Sequence, residues 1–174
     1  ASWTDIPAPT QDLDGKKTSC DRPGCSLHLH AVLAIRNLGH VFASTAPGIM
    51  MGVGSMGDRL RPYGECDTFI STDAGLSWRM VARGPHKHVF ADQGGLLVMA
   101  ADAPSIDVVQ YSFDYGTTWT TLALPEAIEP VVLTSVPDGT ALKILLLGGR
   151  RAKTAHERYA SMFIDFAVLS KRKC

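Results

Sequence analysis

STDAGLSW (residues 71–78) and SFDYGTTW (residues 112–119) carry one pattern, Ser-x-Asp-x-Gly-x-x-Trp, at an offset of 41 residues. Each copy stands between two short apolar runs, so it reads as a hairpin connection. Its parts have separate tasks. The short carboxylates of Asp73 and Asp114 accept backbone N–H groups within the turn. Gly75 and Gly116 supply the left-handed backbone that a tight hairpin needs. Ser71 and Ser112 satisfy a further turn group. Trp78 and Trp119 open the next strand, and each buries a large ring against the turn and the sheet. Because the turn consumes their hydrogen-bonding capacity, both aspartates are read as structural rather than catalytic.

This is the Asp-box pattern, and its surroundings predict an all-β chain. Helical periodicity is nearly absent; β-branched and aromatic runs alternate with Gly, Pro, Asp and Ser clusters. Strands are expected at 25–33, 48–54, 66–71, 77–82, 88–92, 95–101, 107–112, 118–123, 130–135, 141–147 and 158–166, with a short helix as the alternative over 152–162. A repeat near 40 residues with four short strands points to propeller blades. The opening ASW (residues 1–3) matches the end of the same motif. The expected layout is an outer strand at 2–6, one blade at 25–82, a second at 88–123 and a last at about 130–166. An open stack of blades leaves unpaired edges, so a part of a larger propeller is expected. A small complete four-bladed ring is the competing architecture.

Composition narrows the class. At 174 residues and 45 % apolar content the chain suffices for a core. Seventeen basic residues balance seventeen acidic ones, which gives no electrostatic case for nucleic acid or an anionic membrane. GLLVMAA (95–101) and ALKILLLGG (141–149) suit buried strands and fall short of the ~20 residues a membrane helix needs. The N-terminal ASWTDIPAP lacks the charged and apolar regions of a signal peptide, which suggests either a cytosolic protein or a piece of a larger one. Of four cysteines, Cys20 and Cys25 bracket DRPG, a turn-forming tetrapeptide. That suits a small disulfide-closed loop and an oxidising compartment. Zinc is the competing reading, with no second cysteine pair to complete a site. Cys66 and Cys174 are left free, paired together, or paired elsewhere.

CSLHLH (25–30), APGIMMGVGSMGDRL (46–60), CDTFISTDAGLSWRMVARGPHKHVFADQGGLLVMA (66–100) and VQYSFDYGTTW (109–119) closely resemble the sortilin family, the vacuolar protein-sorting receptors and their animal relatives. SMFIDFAVLSKRKC (161–174) resembles the end of that family's propeller, and the cysteine before DTFISTDAG resembles fungal members. The resemblance implies the last three or so blades of a ten-bladed luminal propeller with a wide tunnel. In the family, cysteine-rich modules, a membrane helix and a sorting tail follow. It implies a receptor rather than an enzyme, one that binds soluble cargo such as vacuolar hydrolases in the Golgi lumen for carriage to endosomes and the vacuole. Membrane attachment would come through parts of the receptor beyond this chain. Cys20–Cys25 matches a local disulfide in relatives. Cys174 would bond a cysteine near the start of the propeller, leaving it unpaired here. No ligand contact, cofactor or metal site is carried over.

Other residues invite chemistry. His28 and His30, and His86 and His88, have the alternate spacing of a zinc pair, but read more simply as sheet histidines. Tyr63 and Glu65 with Arg59 and Arg61 resemble sialidase chemistry. The alternative function is therefore an Asp-box glycoside hydrolase fragment. That enzyme needs three arginines converging from different blades, whereas these cluster at 59–61 and 150–151. GDRLRPYGE and GGRRAK are read as solvated loops. GVGSMG (52–57) lacks the βαβ context of a nucleotide fingerprint. A third reading is a degenerate product without independent function.

Overall fold

The computed structural model describes residues 4–20, 22–30, 46–136, 139–149 and 159–169. It is all-β. Among the described residues helical structure is confined to two 3₁₀ turns, Tyr63–Glu65 and Asp92–Gly94. These residues fall into two compact units, the second holding Ala46 and the residues from Lys87 on.

The first unit is a four-stranded antiparallel meander, the form of a propeller blade: β1 (Ser26–Leu29), β2 (Met50–Gly57), β3 (Asp67–Ser71) and β4 (Arg79–Ala82), hydrogen-bonded in that order. Register is set by pairs such as Leu27 with Met56, Met51 with Ile70, and Phe69 with Met80; a bulge lies between Thr68 and Phe69. Leu27, Phe69, Trp78 and Met80 form a buried cluster, with Ile6, Leu29, Met50 and Met56 packed against it. Met51, Val53 and Ile70 are buried too, so β2 and β3 are enclosed on both faces, as their apolar runs require. Gly54 faces β1 so closely that a Cβ there would collide with the His28 carbonyl oxygen. Of the outer strand expected at 2–6, residues 4–6 form no ladder. The Ile6 carbonyl nevertheless accepts the Leu27 N–H at 2.9 Å, which ties this segment to the edge of β1.

The second unit is a six-stranded antiparallel sheet in the order β10-β9-β8-β7-β6-β5. Its strands are β5 (His86–Ala91), β6 (Leu96–Ala101), β7 (Ile106–Ser112), β8 (Thr120–Thr134), β9 (Lys143–Gly149) and β10 (Tyr159–Asp165). The core holds Leu96, Val98, Val109, Ile128, Ile144, Leu146 and Phe166, with Tyr111 tilted on Phe166 at 5.1 Å. Lys87, 8 % exposed, pairs with Asp102 at 3.0 Å, which lets its ammonium be buried.

Two expectations are corrected. The strands placed at 118–123 and 130–135 are one strand, β8. Its first half pairs with β7 (Tyr111 with Thr120) and its second with β9 (Thr134 with Leu145). The intervening ALPEAIEP contains no Gly, Asn or Asp to reverse the chain, and Pro125 and Pro130 hold φ values that extended backbone accepts. Bulges at 106–108 and 130–132 absorb the bend instead. The helix offered over 152–162 is also overturned where it is described. Tyr159–Asp165 alternates exposed and half-buried residues and pairs with β9 in unbroken register. Residues 152–158 lie outside the described residues.

Candidate functional site

The two Asp boxes build nearly identical turns. In the first, Ser71 Oγ donates to Asp73 Oδ1 at 2.8 Å and accepts the Gly75 N–H at 2.8 Å. Asp73 in turn accepts the Ser77 N–H at 2.9 Å and the Ser77 hydroxyl at 2.5 Å. In the second, Ser112 Oγ donates to Asp114 Oδ1 at 2.7 Å and accepts the Gly116 N–H at 2.8 Å. Asp114 accepts the Thr118 N–H at 2.8 Å and the Thr118 hydroxyl at 2.7 Å. Gly75 and Gly116 take positive φ (89° and 75°), and so do the residues before them, Ala74 (60°) and Tyr115 (58°).

Electrostatics follow from these donors. The Ser77 hydroxyl and N–H, with the Ser71 hydroxyl, lower the Asp73 carboxyl to about 2. Desolvation raises that of Asp114, but bonds from Thr118 and Ser112 outweigh it and also leave it at about 2. Carboxylates so committed are poor acid–base groups at neutral pH. Sequence reasoning missed Ser77 and Thr118. The available signal was a hydroxyl residue directly before Trp in both copies. The tryptophans differ: Trp78 is buried and donates Nε1–H to the Gly75 carbonyl at 3.0 Å. Trp119 is half-buried, and its Nε1 is enclosed without a partner among the described residues.

His28, His30, His86 and His88 are held by different partners. His28 Nε2 lies 3.1 Å from Ser26 Oγ and 3.2 Å from the Gly57 carbonyl. His30 Nε2 donates to the Arg61 carbonyl at 3.0 Å. His86 Nδ1 donates to the Gly84 carbonyl at 3.0 Å, beside Thr68 Oγ1. The His88 ring stands edge-on to Phe90. Among the described residues no group of three or more His, Cys, Asp or Glu is arranged to hold a metal ion. Tyr63 and Glu65 share a 3₁₀ turn, and Tyr63 packs edge-on against His30 with ring centroids 5.3 Å apart. Arg150 and Arg151 lie outside the described residues.

Cys20 and Cys25 are disulfide-bonded across a Cα–Cα distance of 5.2 Å. Cys66 is a free, buried thiol that donates to the carbonyls of Arg61 and Pro62; burial pushes its pKa up and makes it a poor nucleophile. Cys174 lies outside the described residues. The disulfide hairpin and the loop after β2 wall a cleft of about 780 Å³ in the first unit, lined by Lys17, Arg22, Arg59, Arg61 and Arg83 among others. No helix of the described residues is long and apolar enough to cross a membrane.

Comparison with known proteins gives the lineage. A family model described as "Sortilin, neurotensin receptor 3" matches residues 1–133. Proteins named vacuolar protein sorting/targeting protein 10 are similar: that of Mycosarcoma maydis is 45 % identical over 100 % of this chain, and that of Laccaria bicolor 44 % over 99 %. The Aspergillus flavus relative is 42 % identical over 87 %. The chain spans 12 % of the length of the first two relatives and 10 % of the third. On this match, and on an all-β structure carrying two Asp-box turns, the chain belongs to the sortilin family.

Proposed function

We propose that this chain is part of a luminal sorting receptor, one that binds soluble cargo proteins and carries them from the Golgi to endosomes and the vacuole. The observation that carries this reading is its similarity, over nearly all its length, to proteins named for vacuolar protein sorting. The turn geometry supports a scaffold role for Ser71, Asp73, Gly75, Trp78, Ser112, Asp114, Gly116 and Trp119, since each aspartate accepts three hydrogen bonds from inside its own hairpin. The blade layout, with an outer strand at 2–6 and blades at 25–82, 88–123 and about 130–166 of a ten-bladed propeller, belongs to the same proposal. So do the secretory-pathway lumen as its compartment and the absence of catalytic activity. The glycosidase alternative has less support: Tyr63 packs edge-on against His30, and no second cluster of arginines faces it among the described residues.

The test is capture of soluble vacuolar hydrolases by the complete protein that carries this chain. Hydrolases retained on the immobilised protein, and secreted by cells that lack it, are the expected result. Capture of none of them, or turnover of a fluorogenic sialoside lost on Tyr63→Phe, would defeat the reading.

A further inference from the structure

The cleft between the disulfide hairpin and the loop after β2 is built from polar residues whose backbones are fixed and whose charges are only partly matched. Ser55, itself buried, organises the loop: its Oγ donates to the Arg59 carbonyl at 3.3 Å and accepts the Arg61 N–H at 3.0 Å. The Arg61 carbonyl also takes His30 and Cys66, so the arginine-bearing backbone is held from both sides. Opposite, Cys20–Cys25 closes the hairpin that carries Arg22. A loop held this way loses little entropy on binding.

The charges are not equivalent. Arg83 bonds the Asp14 carboxylate at 2.5 Å and approaches Asp12 at 3.9 Å. Asp67 is committed to the Gly84 N–H at 2.8 Å. Arg22, Arg59 and Arg61 line the same cleft and form no ion pair with a carboxylate among the described residues. Asp58 and Glu65, which also line it, likewise form none among the described residues, so three guanidinium groups without a direct carboxylate contact face two such carboxylates. Guanidinium groups are weakly hydrated planar forks that pair with carboxylates through two parallel hydrogen bonds. A volume of about 780 Å³ accepts several residues of an extended peptide.

We propose that this cleft binds an acidic peptide segment, with Arg22, Arg59 and Arg61 each engaging a carboxylate. The inference rests on the cargo-receptor reading above and names a chemistry for part of that cargo. Asp58 and Glu65 make the cleft selective, because they repel a poorly placed anion and reject a uniformly acidic surface.

The experiment uses the complete protein and two fluorescein-labelled peptides, one alternating Gly and Glu over eleven residues, the other with Gln at every Glu. Fluorescence anisotropy is expected to show at least tenfold tighter binding of the Glu peptide, weakening as salt rises from 50 to 300 mM. The double variant Arg59→Gln/Arg61→Gln should lose that preference. The variant Arg59→Glu/Arg61→Glu should switch it to a Gly-Lys peptide, a gain that misfolding cannot imitate. Equal binding of the Glu and Gln peptides, or an unchanged preference in both variants, overturns the proposal. Binding of fluorescein-labelled heparin that is lost in Arg59→Gln/Arg61→Gln, with no binding of the Glu peptide, would overturn it in favour of a polysaccharide site. If hydrolase capture persists while the Glu preference is absent, the cleft inference alone fails. If capture itself is absent, the receptor reading has failed.

Discussion

The indole nitrogens separate two turns that the sequence makes look equivalent. Trp78 donates to the Gly75 carbonyl, whereas the Trp119 N–H is enclosed with no partner among the described residues. Replacing a bonded donor costs about 1 kcal/mol, whereas removing an unsatisfied one relieves a desolvation penalty. Trp78→Phe should therefore lower the thermal midpoint and Trp119→Phe should leave it level or raise it. Equal losses in the two variants, measured by calorimetry, would contradict the geometry. The aspartates give a pH prediction of fixed sign. Their carboxyls are lowered from 3.8 to about 2 in the folded protein. The stability they contribute is therefore present above pH about 4 and lost as pH falls from there toward about 2. Asp73→Asn/Asp114→Asn should flatten the acid limb of a stability–pH profile across that window and leave its neutral limb parallel. At this scale the sequence was highly legible. Ser71, Asp73, Gly75 and their counterparts bond within a few residues, so the pattern contained that part of the interaction. Ser77 and Thr118 were missed because a hydroxyl in a turn is common enough to pass as mere polarity.

At the level of strands, close approach rather than composition decides which glycines matter. A Cβ at Gly54 would collide with the His28 carbonyl oxygen, and one at Gly148 with the Glu129 carbonyl oxygen, both rigid backbone. Gly54→Ala and Gly148→Ala should each cost about 1–3 kcal/mol, as overpacking does. Gly64, with nothing within 4 Å of its would-be Cβ, should accept Ala without loss. Urea titrations of the three variants would expose the difference, and a stable Gly54→Ala would rule out the β1–β2 spacing described. Neither close approach was legible beforehand, because register lies in the partner strand. The continuity of β8 was hidden for a related reason. Two prolines usually punctuate a chain, but with no residue suited to reversal between them they carried it from one partner strand to the next. The disulfide was readable because DRPG brings its own turn between the cysteines. Cys20→Ser/Cys25→Ser should destabilise the first unit by about 2 kcal/mol, the expected entropy of so short a loop. The same variant should weaken any ligand of the adjoining cleft.

Across the molecule, protection from solvent follows the depth of each strand in its sheet. Leu96, Leu97, Val98 and Met99 of β6 are fully buried, with strands on either side. β10 has β9 as its one neighbour in the sheet, and Tyr159 and Phe163 are 77 % and 79 % exposed. The Lys143–Asp165 pair at 3.3 Å is mostly solvated and adds little. Local opening thus requires far less disruption at β10 than at β6. Amide hydrogen exchange on the purified chain should be slowest in β6 and in the Ile144–Leu146 part of β9. Alternate amides of β10, those facing away from β9, should exchange fastest among the strands. An exposed, apolar-flanked edge of this kind attracts another strand or sheet. If the chain works within a larger radial array, the same β10 amides should become protected when exchange is measured in the complete protein, while β6 changes little. Identical β10 exchange rates in the two settings would count against a further strand paired on that edge and leave the receptor assignment resting on sequence similarity and the Asp-box turns.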